Sequence, residues 1–193
     1  MAKYQNKYRI ESARLRDWDY GWNGSYFLTI CTRNRQYFFG DVIHGEMKLS
    51  AIGELANKHM IEIPDRYGYA KLDEFIVMPN HVHVILVIDK PADGNCGVVA
   101  DGICRDAINR ASTNTAVRQG GVTGDKNPML HDNISHLINW YKGRVTFESH
   151  KIDLDFGWQD RFYDHIIRNE SEYQRIRNYI KDNPLKWHAG KER

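Results

Sequence analysis

A chain of 193 residues, 41% hydrophobic and 27% charged with a net charge of +2, is long enough to bury a proper core, and it reads as one domain over 1–193. No apolar run approaches the ~20 residues that cross a bilayer, and the N-terminus, Met-Ala-Lys-Tyr-Gln-Asn-Lys-Tyr-Arg, lacks the apolar segment of a secretory signal. Cys31, Cys96 and Cys104 are odd in number and have no finger-like spacing, which fits a reducing cytoplasm better than a disulfide scaffold or a zinc ribbon.

The first 25 residues form a basic, aromatic arm. Across residues 1–35, Lys3, Lys7, Arg9, Arg14, Arg16, Arg33 and Arg35 outnumber Glu11, Asp17 and Asp19, with Tyr4, Tyr8, Trp18, Tyr20 and Trp22 interleaved. Cations neutralise phosphates and aromatic faces stack on unpaired bases, so this composition suits single-stranded nucleic acid as well as a solvated arm. Tyr26–Thr32 is rich in β-formers and follows the turn-like Asn23-Gly24, predicting a first strand. Residues 36–49 read as a loop or small hairpin. Ser50–Ile63 reads as a helix with Ser50 as N-cap, an apolar stripe of Ile52, Leu55, Ala56 and Met60, and Pro64 ending it.

Leu72–Met78 and His81–Ile88 are the second and third strands. Only Pro79-Asn80 separates them, so they pair as an antiparallel hairpin. Residues 89–131, with scattered glycines, a Ser-Thr-Asn-Thr run and no periodicity, read as a flexible insertion rather than a second domain. Ile134–Phe147 carries Ile134, Leu137, Ile138, Tyr141 and Val145 on one helical face, weakened by Gly143. Trp158–Ile167 is a fourth strand. Glu170–Asp182 is a final helix stopped by Pro184.

The order β-α-β-β-α-β plus a helix is that of the ferredoxin-like α+β unit, in which the third strand is central. That strand is apolar on both faces beyond its histidines, so the final helix, from this chain or a partner, is the expected cover for the second face.

Two constellations carry chemistry. His81 and His83 alternate with Val82, so both imidazoles project from one face of a rigid strand; they form half of a metal site if further ligands come from elsewhere, and otherwise read as strand-end histidines, solvated or bonded to backbone carbonyls. On the final helix Tyr179 and Asn183 lie four apart, presenting a phenol and a carboxamide side by side near the helix C-terminus, where the dipole favours a cation. A carboxamide oxygen suits a hard divalent ion, and two imidazoles with one amide leave coordination positions open.

Pro79-Asn80-His81-Val82-His83 resembles the His-hydrophobic-His signature of HUH-type single-tyrosine transposases. Trp158-Gln-Asp-Arg-Phe-Tyr-Asp-His-Ile-Ile-Arg-Asn-Glu170, followed by Tyr179-Ile-Lys-Asp-Asn-Pro184, is similar to the branch of REP-associated tyrosine transposases. The resemblance runs from about Tyr26 to Pro184, apart from 89–131. It implies a cytoplasmic transposase and endonuclease that cleaves and rejoins single-stranded DNA at hairpin-flanked, REP-like sites. In that reading His81, His83 and Asn183 hold Mg²⁺ or Mn²⁺, in place of the glutamine that members often carry as third ligand. Tyr179, on the catalytic helix 170–183, forms a 5′-phosphotyrosine intermediate. No nucleotide cofactor is implied, and a monomer is favoured over a homodimer. Tyr141, Tyr163 and Tyr173 compete with Tyr179 for the nucleophile role. Lys142, Arg14, Arg16, Arg33 and Arg175 are candidate DNA contacts, and Lys142, Arg175 and Lys181 are candidate activators of the phenol. Two rival readings remain. One is a non-catalytic single-stranded nucleic-acid-binding module of RNA-recognition type, which lacks support in its missing signature aromatics. The other is a small metallohydrolase pairing the histidines with Asp73 or Asp160.

Overall fold

The computed structural model describes residues 3–4, 7–8, 20–90 and 132–187. Residues 91–131 of the expected insertion, and with them Cys96 and Cys104, lie outside the described residues, as do Arg14 and Arg16.

Among the described residues, six strands and five helices position the site. They are β1 (Gly24–Cys31), β2 (Gly40–Ile43), β3 (Glu46–Leu49), α1 (Ala51–Ile61), α2 (Ile63–Arg66), β4 (Ala70–Met78), β5 (His81–Ile88), α3 (Ile134–Ser149), β6 (Tyr163–Ile167), α4 (Glu170–Lys181) and α5 (Asn183–Lys186). The main sheet has the order β4-β5-β1-β6, with every neighbouring pair antiparallel. Strands β1 and β4 are therefore parallel around β5, as β5 and β6 are around β1. This is the split βαβ arrangement, and the fold is ferredoxin-like α+β. Strand β5 is central, as its apolar sequence requires.

One face of the sheet carries the main core. Tyr26, Leu28 and Ile30 of β1 and Val82, Val84, Leu86 and Ile88 of β5 pack on α1 and α3. The stripe Ile134, Leu137, Ile138, Tyr141 and Val145 is wholly buried there, and Gly143 does not break the helix. Ser50 caps α1 by accepting from the Gly53 amide at 3.1 Å.

The opposite face is covered by α4 of the same chain. Ile176 and Ile180 close over Ile85 and Ile167, with Phe27, Ile76 and Tyr173 packed around them. Ion pairs tie α4 to β4, with Arg177 at 3.1 Å from Asp73 and Lys181 at 3.3 Å from Glu74. Asn169 caps its first turn through the Glu172 amide.

Three expectations need correction. The fourth strand begins at Tyr163, not Trp158; before it, Trp158 makes a lone bridge to Thr32 while its ring packs on Phe39, Tyr141 and Phe156. Pro64 does not simply stop α1, since α2 follows with Pro64 in its first turn, where a missing N–H is harmless. Pro184 likewise stands in the first turn of α5. Asn183 thus opens a short helix rather than ending the long one, because a proline at 184 cannot donate to the Ile180 carbonyl and breaks the ladder there.

The β2–β3 hairpin turns at His44-Gly45, both at positive φ (53° and 79°), as a two-residue turn of right-handed twist requires. Gly45 lies against α5: an added Cβ would meet Leu185 Cδ2 at 2.8 Å. The hairpin thereby fixes α5 and Asn183 beside the sheet.

Candidate active site

His81 and His83 are both 5% exposed, at the start of β5 on the face that α4 covers. Their rings lie 4.4 Å apart between centroids. The register places Thr29 opposite His83 and Cys31 opposite His81.

Each imidazole is held through Nδ1. Asn80 Nδ2 donates to the Arg35 carbonyl at 3.3 Å, which turns Asn80 Oδ1 toward His81. His81 Nδ1 therefore donates to that oxygen, at 2.7 Å, and its Nε2 carries the lone pair. Thr29 Oγ1 lies 2.9 Å from His83 Nδ1. The Tyr179 hydroxyl lies 3.2 Å from His83 Nε2, so both ring nitrogens of His83 face hydroxyls that can donate or accept. Burial, followed by the neighbouring His81, pushes His83 well below the ordinary imidazole range and keeps it neutral. A neutral imidazole held through Nδ1 has its Nε2 lone pair available to a metal ion.

Tyr179 is 44% exposed, with its ring 5.2 Å from His83 and edge-on to Phe27 at 6.2 Å. Asn183 is buried. Four residues on, Trp187 places its ring 5.9 Å from His81 and 5.8 Å from Tyr37, so α5 lies along the histidine end of the sheet. Among the described residues, no group of three or more His, Cys, Asp or Glu side chains is positioned to hold a metal ion. A carboxamide oxygen such as that of Asn183 is a donor that suits a hard cation.

The competing tyrosines are placed differently. Tyr141 is fully buried on the far face, donates to the Ala56 carbonyl at 3.1 Å and is pushed above the ordinary phenol range by burial. Tyr173 is pushed up to about 12 by burial and then by its bond to Asp73. Tyr163 is exposed at the edge strand, across Phe27 from the histidines. Asp73 is paired with Arg177, and Asp160 acts on Lys142, so neither joins the imidazoles.

The candidate cations are dispersed. Lys142 bonds the Gln159 carbonyl at 2.5 Å, and burial lowers it despite Asp160 and Cys31. Arg33 bonds the Asp155 carbonyl and lies against Gly157. Lys181 pairs with Glu74. Arg175 is the one of these that lines a cavity beside Tyr179. Sequence reasoning did not single out Thr29, the side chain of Asn80 or Phe27, which reach the imidazoles through sheet register and packing rather than a local pattern. It named Trp187 only with Lys186 and the residues after it, as a segment that could contact DNA.

No family model matches the chain. A Haemophilus influenzae protein described as uncharacterised is 30% identical over 177 residues, spanning 91% of this chain and 88% of that one. Among solved structures, a REP-associated tyrosine transposase bound to a REP hairpin aligns over 91% of this chain and 74% of its own, with a TM-score of 0.55 at 20% identity. The resemblance drawn from the motifs is thus borne out at the level of fold. The chain belongs to one family with the Haemophilus influenzae protein, and its fold is that of the REP-associated tyrosine transposase.

Proposed function

We propose that this protein is an HUH-type single-tyrosine transposase of the REP-associated branch, cleaving and rejoining single-stranded DNA beside a hairpin through a 5′-phosphotyrosine. The observation that carries the reading is the Tyr179 hydroxyl 3.2 Å from a buried, neutral histidine that shares its strand face with a second one. The matched fold supports it, because the solved transposase of that fold is bound to a REP hairpin.

His81 Nε2, His83 Nε2 and the Asn183 carboxamide would hold Mg²⁺ or Mn²⁺. When bound, such an ion supplies Lewis-acid stabilisation of the phosphate and a template for in-line attack. Tyr179 Oη forms a bond to phosphorus as the bond from phosphorus to the bridging 3′-oxygen breaks. The phenol gives up one proton and the leaving 3′-oxygen takes one, so the step needs no net acid or base. The phosphodiester energy is retained in the tyrosyl ester, and attack by a 3′-hydroxyl reverses the step without a nucleotide. Thr29 and Asn80 would engage Nδ1 of the two imidazoles and leave Nε2 to the metal, and α4 brings the phenol to the same face.

The recognition-module reading meets a specific obstacle, since the sheet face that stacks bases in such modules is covered here by α4. A magnesium-dependent assay on single-stranded hairpin DNA separates the readings. Covalent attachment is the expected result, whereas free products alone would indicate a hydrolase and binding alone a recognition module.

A further inference from the structure

A cavity of about 590 Å³ opens beside Tyr179. Its floor is the edge of the sheet. Ile76, His83, Thr29 and Tyr163 form one cross-strand row over β4, β5, β1 and β6, so Tyr163 stands two strand spacings from His83, about 10 Å. Phe27 lies between them, its ring 5.3 Å from His83 and 6.5 Å from Tyr163. The apolar side chains of α4 cover Ile167 at one end of β6 but leave Tyr163, at the other, 55% exposed.

Ile176 supplies an apolar part of the remaining wall, and the other side chains there are polar. Asn178 and Asp182 project from α4 and the residue after it, offering hydrogen-bond donors and acceptors, while Arg175 and Lys186 bring positive charge to the lining. Both cations lean on carboxylates, Glu172 at 3.5 Å and Asp182 at 3.1 Å, which hold them in place without burying them. An aromatic platform, an amide and two cations, next to a nucleophile aimed at a phosphate, match the needs of one unstacked nucleotide.

We propose that this cavity receives the base of the nucleotide adjoining the scissile phosphate, with Tyr163 as its stacking platform and Arg175 and Lys186 facing the backbone. The proposal rests on the reading of Tyr179 as the nucleophile. It assigns to Tyr163 a substrate-positioning role, distinct from attack.

The test scans 2-aminopurine through the single-stranded flank of a hairpin DNA and reads its fluorescence on binding the full chain, alongside covalent adduct formation. The expected result is quenching at one flank position, retained in Tyr163→Phe and Tyr163→Trp and lost in Tyr163→Ala, with the melting temperature unchanged because the side chain is exposed. An abasic nucleotide at that position should slow wild-type adduct formation at least tenfold and leave Tyr163→Ala no slower than it already is. Quenching at no position, or quenching equal in wild type and Tyr163→Ala, overturns the pocket. Because quenching is read independently of the adduct, loss of the adduct with quenching intact would count against Tyr179 and not against the pocket.

Discussion

The phenol oxygen of Tyr179 and Nε2 of His83 stand 3.2 Å apart although 96 residues separate them along the chain. The contact exists because α4 folds back over the open face of the sheet in its own chain. What holds α4 there is a small apolar cluster of Ile85, Ile167, Ile176 and Ile180, helped by ion pairs to β4.

Ile180 has no exposed surface in that cluster, so Ile180→Ala should cost about 2–5 kcal/mol and loosen the helix that bears Tyr179. Urea denaturation should show the loss, together with a fall in adduct yield. Arg175→Gln, at an exposed position of the same helix, should shift stability by no more than about 0.5 kcal/mol. An Ile180→Ala variant as stable as wild type would mean that α4 is held by something else.

Thr29 and Asn80 orient the imidazoles without touching a ligand position themselves. Thr29→Val and Asn80→Ala should each weaken Mn²⁺ binding about 10–100-fold by calorimetry, the usual scale for partners of ligating histidines. His81→Ala and His83→Ala should abolish it. Wild-type affinity in Thr29→Val would show that His83 needs no such partner.

Asn183 is the expected third donor. Asn183→Leu should lower Mn²⁺ affinity and cleavage by at least tenfold, whereas Asn183→Asp should retain both, since a carboxylate is also a hard oxygen ligand. Equal affinity in the leucine variant would remove Asn183 from the ligand set.

Away from the site, His59 is fully buried between two carboxylates and joins α1 to α3, with Nδ1 2.7 Å from Glu62 and Nε2 3.2 Å from Glu148. Burial alone would raise Glu148, but His59 against it, together with Lys58 and with Arg144 at 2.9 Å, holds it below the ordinary glutamate value. A depressed carboxylate contributes stability above its unfolded pKa of about 4.3 and loses it as pH falls through the lower folded value. Glu148→Gln should therefore be less stable at neutral pH and show a shallower loss of stability on acidification. Denaturation midpoints from pH 6 to 3 check this, and parallel curves for the two proteins would contradict it.

The sheet and its helices were legible because their signals are local. Runs of β-formers beside turn residues marked β1, β4 and β5, the Ser50 cap defined the start of α1, and the stripe from Ile134 to Val145 defined α3. The histidine pair was legible for the same reason, since alternation alone puts both rings on one face. Less was readable where proline acts in a first turn, because Pro64 and Pro184 look like terminators in sequence yet each sits inside a short helix. Trp158 looked like strand and is instead a core side chain with one bridge, a distinction that only the position of Phe39, Tyr141 and Phe156 decides. The partners of the imidazoles were hidden for another reason. Thr29 meets His83 through sheet register, and Asn80 is turned by the Arg35 carbonyl, which are long-range relationships with no local signature.

The central claim is that Tyr179 becomes covalently joined to DNA. The direct measurement is mass spectrometry of peptides from the full chain after incubation with single-stranded hairpin DNA and Mn²⁺. The account predicts one nucleotide-bearing peptide, modified at Tyr179, absent in Tyr179→Phe and absent when EDTA replaces the metal. An adduct that maps to another tyrosine, or that persists in Tyr179→Phe, would contradict it.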